Sequence, residues 1–369
     1  MSTHDYARPD ARVHLNLFQP FGPVYEWHRT PRPEDYYEFE QYATLVRTAE
    51  RGLFTAVFLG ESLRLREHLG QLNDIAITGR PDALVLFSYL AARTSHIGFV
   101  ATLNTTYSDP VELARRLATV DLLSGGRLEL GVSSGIGQFA PIFDPVFGES
   151  ERGFSAESQH RLARLRAALA GVPVGRSGAG FMSIPADIDL TVTPAAPGLA
   201  DRVWYGPGTL ASAVRTGEQG LDIHVSTLNA EETGEDFAAG QATQLRAYKD
   251  AFSRADAASR RTPRIAAGRV ILPSLTPADE APYTDYIRGH NDRMQPDGRA
   301  NDPRMRMRFD RIHNGDPARI VDGLLADEAL REVTELTITL PAPGGIEAHL
   351  RTLDLVAEHV APALGWRPR

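Results

Sequence analysis

The stretch 97-IGFVATLNTTYSDPVELARRLATVDLLSGGRLELGVSSG-135 reads as strand, polar loop, capped helix, glycine stop and strand. Ile97–Leu103 is an apolar, β-rich run, and Asn104 to Tyr107 follow it at once. Asp109-Pro110-Val111-Glu112 has the form of a capping box. Asp109 can accept from the first unpaired helix amides, Pro110 suits the first helical position and Glu112 can reach back. Leu113, Leu117 and Val120 fall on one helical face, and Gly125-Gly126 supplies a positive-φ stop. Arg127–Val132 is a second strand, ending in Ser133, Ser134 and Gly135. This is a βαβ unit, which implies parallel strands and a right-handed crossover. Its polar residues cluster past the carboxyl ends of both strands, where parallel-sheet proteins bind ligands.

The same alternation extends in both directions. Strands are expected at Val13–Gln19, Phe54–Leu59, Ile97–Leu103, Arg127–Val132, Arg202–Tyr205, Leu221–Thr227, Ile265–Leu272 and Leu336–Leu340. Helices are expected between them, among them Glu34–Arg51, Pro81–Arg93, Ser155–Leu169 and Glu235–Arg254, with a last one over Glu347–Leu364. In strand six Leu221, Ile223 and Val225 share one face and Asp222, His224 and Ser226 the other. Eight strands alternating with helices is the count of a (β/α)8 TIM barrel. A doubly wound open sheet also alternates, but it usually has fewer strands and a phosphate loop after the first. The spacing therefore predicts an α/β fold of this barrel type in a single domain over residues 1–369. It carries insertions after strand four, about 136–200, and after strand seven, about 273–315. The second is long enough to serve as a lid.

Of 369 residues, 42% are hydrophobic and 23% charged, which suits a globular chain with a sizeable core. The formal net charge of −8 argues against nucleic acid or an anionic membrane surface as the main partner. Cysteine is absent, which excludes disulfides, thiolate metal sites and cysteine nucleophiles. The start, MSTHDYARPDAR, lacks the apolar core of a signal peptide, and no run approaches membrane-spanning length, so a cytoplasmic location is expected.

Gly131-Val-Ser133-Ser-Gly135 fits the nucleophile elbow of serine hydrolases, and Gly135-Ile-Gly137-Gln-Phe-Ala140 fits a loose dinucleotide fingerprint. Both patterns should lead into a helix, and prolines 141 and 145 oppose one. Gly206-Pro207-Gly208-Thr209, at a strand-to-helix junction with Ser212 one turn on, reads either as an anion site at a helix N-terminus or as an ordinary tight connection. No HExxH and no pair of histidines at i,i+4 points to a metal. Glu61, just past strand two, is either a barrel-mouth functional carboxylate or a loop anchor. His224 is either an interior functional group or a hydrogen-bonded core histidine. Trp27, His28 and Arg29 can line a pocket above strand one or stand at the surface.

Two segments, AERGLFTAVFLGE (Ala49–Glu61) and LAARTSHIGFVATLNTTYSDPVELARRLATVDLLSGGR (Leu90–Arg127), resemble the bacterial luciferase-like flavin-dependent oxidoreductases. The likeness is greatest to the branch of two-component monooxygenases acting on nitrilotriacetate, dibenzothiophene sulfone and pristinamycin precursors. That resemblance implies a barrel binding FMN, or the deazaflavin F420, at the carboxyl ends of the strands. It implies a monooxygenase that uses reduced FMN and O2, through a C4a-(hydro)peroxyflavin, on a small organic substrate. An NAD(P)H:flavin reductase would supply the flavin, and the chain would form a homodimer. By position Glu61 takes the place of the family's strand-two acid and, with His28, is a candidate catalytic side chain. Thr102 and Asn104 match positions beside the flavin ring, Ser134 matches one near the phosphate, and Gly206, Gly208, Thr209 and Ser212 form the phosphate turn. The histidine that follows the acid in luciferase is Ser62 here, so light emission is not expected. An F420-dependent oxidoreductase, a flavin-binding protein without turnover, and a serine hydrolase using Ser133 are the competing readings.

Overall fold

In a computed structural model, the structure describes residues 13–18, 38–60, 81–105, 108–133, 153–178, 180, 182–183, 185–196, 198–230, 234–255, 261–302, 307–341 and 343–366. Eight parallel strands close into a barrel: β1 (His14–Phe18), β2 (Ala56–Gly60), β3 (Gly98–Asn104), β4 (Leu128–Ser133), β5 (Val203–Tyr205), β6 (Asp222–Val225), β7 (Ile265–Arg269) and β8 (Glu335–Thr339). Each strand pairs with its neighbours in sequence, and β8 returns to β1 with Leu15 opposite Leu336 and Leu17 opposite Ile338. The helices are α1 (Phe39–Arg51), α2 (Ala83–Ala91), α3 (Pro110–Leu123), α4 (Phe154–Leu169), α5 (Leu210–Glu218), α6 (Phe237–Ala255), α7 (Pro317–Ala326) and α8 (Ile346–Leu355). Every strand begins within two residues of its expected start, and among the described residues no helix is long and apolar enough to cross a membrane.

Local chemistry explains the elements. The Asp109 carboxylate accepts from the Val111 and Glu112 amides at 2.9 and 3.1 Å, with Pro110 at the first turn. Glu112 does not reach back as expected. It pairs instead with Arg115, whose Nε lies 2.9 Å away on the next turn. Gly125 and Gly126, at φ +69° and +83°, end the helix in a conformation that a Cβ disfavours. Asp316 and Pro317 open α7 in the same way, with Oδ1 accepting from Ala318 and Arg319.

Strand alternation sorts the side chains into two compartments. Leu15, Leu17, Val57, Leu59, Phe99, Ala101, Leu130, Val203 and Ile338 point outward and pack under the helices. Ile223, Val225, Ile265 and Ala267 do so beneath α5 and α6. Phe18, Ala56, Phe58, Val100, Trp204 and Ala266 point inward.

Three expectations need correction. Strand seven does not run unbroken to Leu272. It leaves the barrel wall after Arg269, and Ile271–Pro273 pairs with His313–Gly315 in a separate two-stranded sheet. The Gly- and Pro-rich stretch Gly171–Pro197, in which the sequence marks no element, holds a short hairpin, Gly175–Arg176 against Asp189–Leu190. The last helix ends as an α-helix at Leu355 and continues as a π turn over Val356–Val360. Within 136–200, α4 is the barrel's own fourth helix. Within 273–315 the chain forms a helix at Thr284–Asn291 and buries Tyr283, which hydrogen-bonds Thr352 of α8 at 3.0 Å.

Candidate active site

The barrel's amino end is closed by a charged layer. Arg264, just before β7, places Nη1 2.6 Å from Glu129 Oε2 of β4, and Nε 2.6 Å from Glu335 Oε1 of β8. Asn16 of β1 donates to Glu335 at 2.6 Å, and Trp204 Nε1 donates to Glu129 at 2.5 Å. Both carboxylates are buried. Burial works against the Arg264 charge, but Glu129 and Glu335 more than offset it and raise the pKa above its ordinary value. The guanidinium also lies over the Trp204 ring, 4.5 Å from its centroid.

Above this layer the aromatic side chains stack upward. Phe58 meets Trp204 edge-on at 5.6 Å and His224 at 4.8 Å, and Phe18 lies 6.3 Å from Phe58. They form the base of a cavity of about 270 Å³ at the carboxyl ends of the strands. Thr102, Gly131, Val132, Gly206, Pro207, Ser226, Thr227, Leu228 and Thr339 complete the described wall, which contains no Lys, Arg, Asp or Glu. His224 is held by a 3.1 Å hydrogen bond between Nε2 and Thr337 Oγ1, and burial pushes its pKa down to about 4. It is therefore a neutral imidazole at physiological pH.

The cavity depends on a missing side chain. A Cβ at Gly131 would stand 2.5 Å from Thr102 Oγ1 and 3.0 Å from Thr102 Cα, inside the barrel where β3 and β4 run side by side. At one edge, Gly206 and Pro207 lead to α5. Thr209 caps that helix: its hydroxyl accepts from the Ser212 amide at 3.2 Å, while the Thr209 amide donates to Ser212 Oγ at 3.0 Å. The cap aims the positive end of the helix dipole at the cavity's edge. Gly208 sits tight under Ala230, whose amide donates to the Gly208 carbonyl at 3.1 Å.

Of the residues singled out from sequence, Thr102 and Gly206 line the cavity, and Gly208, Thr209 and Ser212 form the adjoining turn. Asn104 is buried at the end of β3 and is not among the lining residues. His28, Glu61 and Ser134 lie outside the described residues, as does the side chain of Ser133. His224 and Ser226 face inward, as their alternation implied. Phe18, Phe58, Gly131 and Trp204 were missed. The signal was available, since each lies on the inward parity of its strand, but only a known barrel tells inward from outward. Among the described residues no group of three or more His, Asp or Glu stands together as a metal site.

The luciferase-like monooxygenase family matches this chain over residues 20–334. The chain belongs to that family. Among curated relatives, dibenzothiophene-sulfone monooxygenase of Rhodococcus erythropolis (strain XP) is 34% identical over 131 residues, covering 33% of this chain and 29% of the relative. Nitrilotriacetate monooxygenase component A of Aminobacter aminovorans is 36% identical over 121 residues, covering 30% and 27%. Each match thus spans less than a third of the relative's length. Both relatives fall in the branch that the sequence resembles.

Solved structures match almost end to end. The oxygenating constituent of 3,6-diketocamphane monooxygenase from Pseudomonas putida, in complex with FMN, superposes with a TM-score of 0.67 at 14% identity, covering 97% of this chain and 100% of that one. The F420-dependent tetrahydromethanopterin reductase of Methanopyrus kandleri gives 0.61 at 16% identity, covering 96% and 100%. At such identities the likeness is one of fold. Barrels of this fold thus include an FMN-bound protein and an F420-dependent one.

Proposed function

We propose that the chain is a flavin-dependent monooxygenase that binds reduced FMN at the carboxyl end of its barrel and uses O2 to oxygenate a small organic substrate. A separate NAD(P)H:flavin reductase delivers the flavin. The observation that carries this reading is the cavity: aromatic-floored, edged with hydroxyls, and joined through Gly206–Thr209 to a helix N-terminus. The residues present fit the group. A planar heteroaromatic ring packs on aromatic and aliphatic walls with a few placed hydroxyl groups, and a phosphate suits the amides and dipole of a helix start. Gly131 leaves the room a ring needs beside Thr102.

Reduced flavin, when bound, supplies the chemistry of oxygen activation, and the protein supplies position, orientation and dryness. Thr102 offers a hydroxyl to the ring edge, and Asn104 stands next beyond it on β3. Gly206, Gly208, Thr209 and Ser212 would hold the phosphate, with Ser134, which follows β4 in the chain, as a further proposed contributor. Phe18, Phe58 and Trp204, which line the cavity, would exclude water from a bound flavin. His224 remains neutral and adds no charge to the cavity. Glu61 and His28, which follow β2 and β1 in the chain, are the proposed acid–base side chains. The uncharged described wall suits a substrate whose buried part is neutral and apolar.

The test is anaerobic titration with reduced FMN and, separately, reduced F420, followed by air. Tight binding of reduced FMN and substrate-dependent O2 consumption are expected. Tight F420 binding with no reaction with O2 would replace this reading with an F420-dependent oxidoreductase. Flavin binding without any substrate-dependent uptake would reduce it to a flavin carrier.

A further inference from the structure

The segment 273–315 does more than pass over the barrel: it is hydrogen-bonded to the rim of the cavity. Arg308–Phe309 pairs antiparallel with Leu228–Asn229, with Phe309 opposite Leu228. The Asp310 amide donates to the Thr227 carbonyl at 2.9 Å. Thr227 and Leu228 are wall residues of the cavity, and Leu228 is 39% exposed at its edge. The Phe309 amide in turn donates to the Gly298 carbonyl at 2.8 Å, so this strip is backed by more of the same segment.

The strip is pinned from beneath by its next side chain. Asp310 Oδ2 lies 3.5 Å from Nε of Arg269, the last residue of β7, which is fully buried. Arg269 Nε also donates to Asp327 Oδ2 at 2.8 Å, and its Nη1 donates to the Gly268 carbonyl at 2.7 Å. Asp327 is itself fixed at the end of α7 by the Ala329 amide, 2.9 Å away. His313 Nε2 stands 3.9 Å from Asp310 Oδ2, and His290 Nε2 donates to the Asp310 carbonyl at 2.8 Å. Arg269 Nη2, Asp310 Oδ2 and His313 Nε2 are buried with no hydrogen-bond partner among the described residues. A layout designed only for stability would satisfy such atoms or replace them with apolar groups. Here their imperfect pairing is kept where the barrel wall, the inserted segment and the cavity rim meet.

We propose that Asp310 is a positioning residue for the cavity. Its main chain holds Thr227, its carboxyl is anchored on Arg269, and together they set the height and tilt of the Thr227–Leu228 wall. The inserted segment then determines which ligand shapes the cavity admits by clamping that wall from behind. Only the statement about ligand admission rests on the flavin reading.

The experiment compares wild type, Asp310→Ala and Asp310→Asn by amide hydrogen exchange at pH 7, with FMN titration beside it. In Asp310→Ala, exchange over residues 226–230 and 307–312 is expected to rise by ~10-fold or more, while residues 98–104 and 128–133 stay as in wild type. Asp310→Asn, which keeps the shape and the polar contacts, is expected to retain wild-type protection. FMN affinity is expected to fall several-fold in Asp310→Ala and to recover in Asp310→Asn. A uniform rise over all four regions, or no rise at 226–230, would overturn the assignment. A loosened rim with unchanged FMN affinity would overturn the claim about ligand admission. Should Asp310→Ala not fold, Arg269→Lys, which keeps the buried charge but cannot span both carboxyls, is expected to loosen the same two stretches, and uniform or absent loosening there overturns the proposal equally. If wild type itself fails to bind FMN, the flavin reading falls, and the exchange data still decide the role of Asp310.

Discussion

Replacing Arg264 with methionine tests the charged layer at the base of the barrel. Methionine fills similar volume without charge. The substitution removes the contacts at 2.6 Å to Glu129, 2.6 Å to Glu335 Oε1 and 3.1 Å to Glu335 Oε2, and leaves two buried carboxylates without their guanidinium counter-charge, with the neutral donors Trp204 and Asn16 still in place. Breaking such a group by removing one partner costs about 3–5 kcal/mol, because the remaining charges are stranded in a medium that solvates them badly. The loss must depend on pH. Stripped of Arg264, burial and mutual repulsion raise the carboxyl pKa values above those of the unfolded chain. The folded variant then binds protons that the unfolded chain does not, so its deficit shrinks as pH falls and grows as pH rises toward the raised values. Each carboxyl contributes up to about 1.4 kcal/mol per pH unit within that window. Urea denaturation followed by circular dichroism at pH 7.5, 6.5 and 5.5 measures the effect. Adding Glu129→Gln and Glu335→Gln to Arg264→Met is expected to recover most of the loss. A single variant within about 1 kcal/mol of wild type at pH 7.5, or a deficit that ignores pH, would refute the reasoning.

Three further outcomes are expected. Gly131→Ala drives a Cβ to 2.5 Å from Thr102 Oγ1, so stability falls by about 1–3 kcal/mol and FMN affinity by ~10-fold or more, with partial recovery in Gly131→Ala/Thr102→Ala; fluorescence titration reads this. Thr209→Ala removes the α5 cap at a cost of about 0.5–2 kcal/mol; if this turn holds a phosphate, FMN binding weakens more than riboflavin binding. Burial pushes His224 and His313 down to about 4, so stability attached to them is lost as pH falls from 6.5 toward 4. Asp310 and Asp222, pushed by burial up to about 7 and about 6, act in the opposite sense, since the folded chain holds their protons as pH falls below those values. Asp310→Asn deletes part of that compensation, and acidification from pH 7 to 5 should then cost the variant about 1–3 kcal/mol more than wild type in urea denaturation.

The barrel was legible because its information is local. Strand starts follow from apolar runs between a glycine or polar stop and a polar loop, and helix starts from Asp109 and Asp316, whose carboxylates serve their own amides. Strand six announced its inward face by strict alternation, which put His224 and Ser226 in the cavity wall. What stayed hidden depends on distance along the chain. Arg264 meets Glu129 across 135 positions and Glu335 across 71, and no spacing rule links them. Asp310 gains its meaning only from Arg269 and Thr227, both brought to it by closure of the sheet. The helix at Thr284–Asn291 was hidden for another reason. Its sequence, TDYIRGHN, buries little beyond His290 and carries no long apolar stripe for a periodicity to reveal.

Among the described residues, the salt-bridged layer under Trp204 closes the amino end of the barrel and leaves the cavity open toward the carboxyl ends of the strands. Whatever lies deepest must arrive first and depart last. If the proposed flavin seats on Phe58 and His224, any molecule that follows covers it, and turnover would acquire an order imposed by architecture: the deeper guest would be exchanged only after the shallower one had gone.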